Sequence, residues 1–392
     1  MTQHLPYGRQ SIDDDDIAAV MKVLKSQTLT CGPAIPEFEA SLALAVNARD
    51  AIACANGTAA LHLAMLALGV GEGDWVIVPS ITFLATANAV RLAGGEVLFC
   101  DVDPSTGTMT PEALESVLAT YPNRRIKGVV PVHMGGHSAD MRLISGIARR
   151  HGLFVLEDAC HALGGYQEAE PAEYAPVGSN VYADATVFSF HPVKSITTGE
   201  GGAVTTNSPA LAERLRRLRS HGMERTAGDP QPWRYRMAEM GLNYRLTDIQ
   251  AALGISQLKK LEGFVKARTY LAERYNQLMA PLAPTIRPCG LPTNAPGAWH
   301  LYRILIDFPA LGYSRAAVMR RLAEQGIGSQ VHYIPVSSQP YYENRYGETH
   351  LPGAEGYYSR VLSLPLYPGM AENDISRVAA ALTFAARGAE VA

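Results

Sequence analysis

The chain has 392 residues, 47% apolar and 18% charged, more than one hydrophobic core organises and suited to two domains of a compact protein rather than a disordered one. Its 34 basic and 37 acidic residues leave a net charge of -3, without the basic excess of a nucleic-acid binder. No apolar run is long enough to span a membrane.

The first residues, MTQHLPYGRQ, lack the basic and apolar regions of a signal peptide. The five cysteines, Cys31, Cys54, Cys100, Cys160 and Cys289, are odd in number and widely spaced. They form neither a disulfide framework nor a metal site and fit reduced thiols in the cytoplasm. Residues 11–25 predict a first helix, with Ser11 and Asp14 as its capping box and the acidic run Asp13–Asp16 at the positive end of its dipole.

From about residue 50, short apolar runs alternate with helical patterns. AIACANGT ends in a turn, and TAALHLAMLALGV is apolar almost throughout, the pattern of a buried helix. WVIVPS, EVLFCDV, GVVPVH, LFVLEDA, ATVFSF and GGAVTTN have the β-branched character of strands buried on both faces. TANAVRLAG and MRLISGIARRHG carry helical periodicity between them. This predicts an α/β fold with a mostly parallel central sheet. Arg214, Arg216, Arg217 and Arg219 are read as the solvated face of a helix. After about residue 250 a long helical stretch runs to Ala280, and a Gly/Pro-rich segment covers Pro281 to Gly297. YRILIDF, a helix near 314–325 and a strand around IGSQVHY then predict a smaller α+β unit. The expected division is 1–255 and 256–392, with the N-terminal segment packing on the second unit.

Ligands of open α/β sheets bind at the carboxyl ends of the strands. There Asn56-Gly57-Thr58-Ala59-Ala60 opens a helix and offers N–H groups to a phosphate, a weak signal alone. Asp158 ends the run LFVLED, where a carboxylate is able to keep a pyridine nitrogen protonated. His161, three residues on, is placed to orient Asp158 or to stack on a ring, and equally to be an ordinary partly buried histidine. Lys194 sits in the Gly/Thr-rich turn FHPVKSITTGEGG, where desolvation favours the free amine that attacks an aldehyde. Ser189 is a second phosphate donor. His133-Met134-Gly135-Gly136-His137 has no third ligand nearby, so no metal is expected.

The order of phosphate cradle, carboxylate and lysine is similar to that of fold-type I pyridoxal 5'-phosphate (PLP) enzymes, with an aspartate aminotransferase-like large domain. From LPYGR to about Pro365 the chain resembles the DegT/DnrJ/EryC1/StrS sugar-nucleotide aminotransferases. The resemblance rests on LTCGPAIPEFE, ANGTAALHLA, PSITFLATANAV, EDACHALG, FSFHPVKSITTGEGGAV, GLNYRLTDIQAALG and VHYIP. It implies that Lys194 binds the cofactor and shuttles the proton, and that Asp158 pairs with the ring nitrogen. It further implies that Thr58, Ala59 and Ser189 hold the phosphate and that Phe83 stacks on the ring. Asn243 would reach the cofactor phosphate of a partner subunit, making a homodimer with shared active sites. Arg245 would meet the carboxylate of the amino donor, L-glutamate, or the sugar diphosphate; Tyr7, His332 and Tyr333 would contact the nucleotide sugar. YGRQSID, FHPVKSITTGEGG and NYRLTDIQAALGISQLKKLE are most similar to the branch that aminates C4 of a UDP-4-keto-6-deoxy sugar in pseudaminic acid biosynthesis. ANGTAALH is closer to other branches, including those making perosamine-type sugars from GDP-4-keto-6-deoxymannose. Sugar dehydratases of the family carry histidine in place of the lysine, and a non-catalytic nucleotide-sugar binder would have lost Lys194 or Asp158.

Overall fold

In the computed structural model, residues 4–170, 173–226, 228, 230, 231 and 233–387 are described. Two helices, α1 (Asp14–Leu24) and α2 (Ala34–Ala45), precede an alternation of strands and helices. These are β1 (Asp50–Cys54), α3 (Gly57–Ala67), β2 (Trp75–Pro79), α4 (Leu84–Leu92), β3 (Glu96–Cys100), α5 (Pro111–Thr120), β4 (Ile126–Val129), α6 (Met141–Arg150) and β5 (Phe154–Asp158). The paired strands β6 (Tyr166–Glu170) and β7 (Glu173–Pro176) follow, then β8 (Ala185–Ser189), β9 (Gly202–Thr206), α7 (Pro209–Arg219), β10 (Met223–Glu224), β11 (Arg236–Met237), α8 (Asp248–Leu258) and α9 (Leu261–Met279). The last part holds β12 (Ile286–Pro288), β13 (Tyr302–Ile306), α10 (Phe308–Leu311), α11 (Arg315–Glu324), α12 (Pro340–Tyr346), α13 (Pro352–Tyr358), β14 (Val361–Leu364) and α14 (Glu372–Arg387).

The large sheet has seven strands in the order β1-β9-β8-β5-β4-β2-β3. Parallel pairs run from β3 to β8, and only β9 is reversed, antiparallel to both β1 and β8. Burial of nearly every position in β1, β2, β3 and β5 explains their unbroken apolar runs: helices cover both faces. Ile52, Leu63, Val76 and Val78 pack with α3, α4 and α7 on one side, and Ile77, Leu98, Val129 and Ile144 with α5 and α6 on the other. A separate core gathers Tyr275, Tyr302, Ile304, Leu322, Leu364 and Ile375 around the β12-β13-β14 sheet, and Leu5 belongs to it.

Four local expectations are corrected, and one boundary is proposed anew. The first helix is capped by Asp13, whose carboxylate accepts from the Asp15 and Asp16 N–H groups while Asp16 reaches back to the Asp13 N–H. The capping box is thus Asp13/Asp16, not Ser11/Asp14. The helical stretch to Ala280 is two helices separated at Lys259–Lys260. No strand forms at 327–333, where single bridges link Ile327 to Leu5 and Gln330 to Ser363; the third strand of the small sheet is β14. Residue 255 lies within α8, which packs on α1 and α2, so we propose that the division falls at the α8–α9 break instead. The arginines of α7 are paired rather than merely solvated: Arg214 and Arg217 with Glu239, Arg216 with Asp50, Arg219 with Glu39.

Candidate active site

The carboxyl ends of the strands open into a cleft of about 800 Å³. Its walls bring together residues from distant parts of the chain. Tyr7, Thr58, Ala59, Phe83, Asp158, His161, Ser189, Lys194, His332 and Tyr333 all line it. Asn243 and Arg245 do not; between them Tyr244 faces in, its hydroxyl 3.3 Å from His62 Nδ1.

The floor is set by close backbone approach. A Cβ on Gly202 would stand 2.4 Å from the Asn56 carbonyl oxygen, and one on Gly57 would stand 2.9 Å from Ser189 Cβ. Only glycines let β9, β8 and the start of α3 come this near. The Asn56 side chain caps α3 by accepting from the Ala59 N–H at 2.8 Å. Ala59 therefore has its donor engaged. The Gly57 and Thr58 N–H groups and the exposed Thr58 side chain remain at the positive end of the helix, beside Ser189. This cradle fits a phosphate.

Asp158 ends β5, 5% exposed. Its Oδ1 accepts from the Cys160 N–H at 3.2 Å and its Oδ2 from the Thr86 hydroxyl at 2.7 Å. Lys194 lies in the β8–β9 connection. There Thr197 donates to the Phe190 carbonyl and accepts from the Gly199 N–H, Gly199 having φ 79°. Gln257 of α8 joins this turn to α1 by donating to Asp16 at 2.7 Å. Burial pushes the Lys194 amine below its ordinary value, opposed by the nearby Cys160 and Asp158. The phosphate cradle, the strand-end carboxylate and the lysine of lowered basicity thus share one cleft, which suits a phosphorylated pyridine aldehyde.

The opposite wall comes from the far end of the chain. The Gly135 N–H donates to His161 Nδ1 at 3.3 Å, so the neutral ring carries its proton on Nε2, 3.1 Å from the Tyr333 hydroxyl. Burial holds His161 and His300, whose ring centroids are 4.5 Å apart, well below the usual histidine range, and raises Tyr333. His332, bonded to Ser363 at 2.8 Å, is pushed down to about 3 by burial and by the positive charges of Lys194 and Arg303. Phe83 is 56% exposed, with its ring centroid 5.9 Å from that of Tyr333. Thr82, Thr86, Tyr244 and His300 escaped the sequence reading. Only the threonines left a signal, two hydroxyls four residues apart at the start of a helix. His133 and His137 are buried, and among the described residues no three His, Cys, Asp or Glu are grouped to hold a metal.

Comparison with known proteins adds to this geometry. The chain is 39% identical to the spore coat polysaccharide biosynthesis protein SpsC of Bacillus subtilis (strain 168), over 98% of each chain. It superposes on Helicobacter pylori PseC, an aminotransferase involved in the biosynthesis of pseudoaminic acid, with a TM-score of 0.89 and 30% identity over 98% of this chain and 100% of that one. It likewise matches the PLP form of the putative sugar aminotransferase Spr1654 of Streptococcus pneumoniae, with a TM-score of 0.88 and 26% identity over 98% and 99%. The DegT/DnrJ/EryC1/StrS aminotransferase family model matches residues 10–383, and the chain belongs to that family.

Proposed function

We propose that this PLP-dependent sugar aminotransferase moves the amino group of L-glutamate to C4 of a nucleotide-linked 4-keto-6-deoxy sugar. The acceptor we favour is UDP-2-acetamido-2,6-dideoxy-β-L-arabino-hex-4-ulose, in pseudaminic acid biosynthesis in the cytoplasm. The observation that carries the reading is the convergence of Lys194, Asp158 and the α3 N-terminus in one cleft. Likeness to PseC supports the choice of sugar.

Bound PLP supplies an electron sink for charge developing at the carbon that loses its proton. The Gly57 and Thr58 N–H groups, with the Thr58 and Ser189 hydroxyls, hold its phosphate. The Asp158 carboxylate, fixed by Thr86 and the Cys160 N–H, would pair with the pyridine nitrogen and keep it protonated. Lys194 Nζ, its basicity lowered by burial, takes the proton from the donor carbon and returns it to the sugar carbon. Tyr333, accepting from His161 Nε2, turns its own O–H toward the cleft, where it meets the sugar with Tyr7 and His332. Asn243 and Arg245, outside their own cleft, serve that of a partner subunit in a homodimer.

The test is the absorbance of protein supplied with PLP, before and after L-glutamate and then with UDP- and GDP-linked 4-keto-6-deoxy sugars added singly. The bound-cofactor band is expected to bleach with glutamate and return with the UDP-acetamido sugar. Return with a GDP sugar alone would move the assignment to the perosamine-type branch, and failure to bind PLP would defeat the lysine assignment.

A further inference from the structure

Asp158 does not stand alone at the end of β5. Thr86 Oγ1 lies 2.7 Å from Asp158 Oδ2, and Thr82 Oγ1 lies 2.7 Å from Thr86 Oγ1. A carboxylate only accepts, so the single Thr86 proton points at Asp158. The contact between the two threonines must then be a donation from Thr82 to Thr86. The direction of the whole chain is thereby fixed: Thr82 to Thr86 to Asp158. Its members are buried, with Thr86 at 0% and Thr82 at 2% exposure, so water does not replace either hydroxyl.

The placement of the two threonines follows from α4. Phe83 caps that helix, leaving Thr82 just outside it and Thr86 in its first turn, one helical turn apart on the side facing β5. Thr82 lines the cleft and Thr86 stands behind it. The Cys160 N–H takes the other carboxylate oxygen, so the two donors arrive from different elements and fix the plane of the carboxylate. A hydroxyl donor in a dry site is strengthened when a second hydroxyl donates to it.

We infer that Thr86 is a positioning residue for the amino-transfer reaction, and that Thr82 polarises it. The relay holds the Asp158 carboxylate oriented toward the pyridine nitrogen. This rests on the reading of Asp158 as the partner of that nitrogen. Thr86→Val keeps the shape and removes the donor; Thr86→Ser keeps the donor and removes a methyl group. Thr82→Val leaves Thr86 bonded to Asp158 but unsupported.

The experiment compares wild type with T86V, T86S, T82V and D158N, each supplied with PLP. It measures cofactor affinity, the pH midpoint of the bound-cofactor absorbance and the rate of bleaching by L-glutamate. Loss of a hydrogen bond to a charged group predicts bleaching slowed about tenfold to a hundredfold in T86V, with a smaller loss in T82V and near-normal behaviour in T86S. A carboxylate without its donor concentrates its negative charge, so the T86V midpoint moves upward. If D158N is slow while T86V bleaches at the wild-type rate with an unmoved midpoint, the relay is wrong and the role of Asp158 stands. If T86S is as impaired as T86V, Thr86 acts through packing and the inference fails. If D158N itself bleaches normally, the underlying reading of Asp158 falls first.

Discussion

The buried histidines around the cleft make the fold acid-sensitive in a calculable way. His137 is packed edge-on against Trp299, centroids 4.4 Å apart, beside Gly297, with Nδ1 buried and unbonded among the described residues. Burial, and secondarily the Arg303 charge, push it down to about 3, and burial likewise takes His332 to about 3. A histidine depressed on folding binds its proton more readily in the unfolded chain, where its value is about 6.5. Its stabilising contribution is therefore present above pH 6.5 and is lost as pH falls from there toward 3. Lowering pH from 8 to 5 removes about 2 kcal/mol for each such histidine, so about 4 kcal/mol for His137 and His332 together. His161 and His300 shift in the same direction. The assay is urea unfolding of the cofactor-free protein at pH 8, 6.5 and 5, for wild type and His137→Phe. His137 does not line the cleft, and phenylalanine fills its place without a titrating group. The variant is expected to lose about 2 kcal/mol less than wild type across this range. Identical pH dependence of the two proteins would refute the argument.

Two further outcomes are expected. Lys194→Ala binds PLP without covalent attachment, so that dialysis removes the cofactor, and turns over negligibly; substantial remaining activity would remove Lys194 from its role. Gly202→Ala drives a methyl group into the Asn56 carbonyl and the Gly57 nitrogen, costing about 1–3 kcal/mol by overpacking. Because that backbone forms the cradle proposed for the phosphate, PLP affinity should fall more than thermal stability does, as cofactor titration and melting of the apo protein would reveal.

The large sheet was legible because burial on both faces leaves a continuous apolar run for each strand, and Asp158 and Lys194 stood out as polar groups at the ends of such runs. Reversal of β9 was not legible, since an antiparallel strand buried on both sides has the same composition as a parallel one. IGSQVHY looked like a strand from its β-branched residues, yet only Gln330 finds a partner in the small sheet beyond the bridge at Ile327. The helix cap shifted from Ser11 to Asp13 because four consecutive carboxylates offered competing caps, and pairing of Asp13 and Asp16 with Lys260 favours that register. Tyr244 and His300 were hidden for a different reason. Their neighbours in sequence point elsewhere, and only the meeting of distant segments turns these two rings into the same space.

The wall formed by His332 and Tyr333 is fastened to the large sheet by a hydrogen bond from the Val336 N–H to the Ser80 carbonyl and by the Ser80–Ser337 hydroxyl pair at 2.8 Å. A chain growing from its N-terminus has made Ser80, Asp158 and Lys194 well before it makes Ser337. During synthesis the groups proposed to bind the cofactor thus precede the wall that faces them, which arrives only with the last part of the polypeptide. On the proposed assignment of these residues, completion of the cofactor site is accordingly a late step in the life of the nascent molecule, set by the order in which its residues emerge.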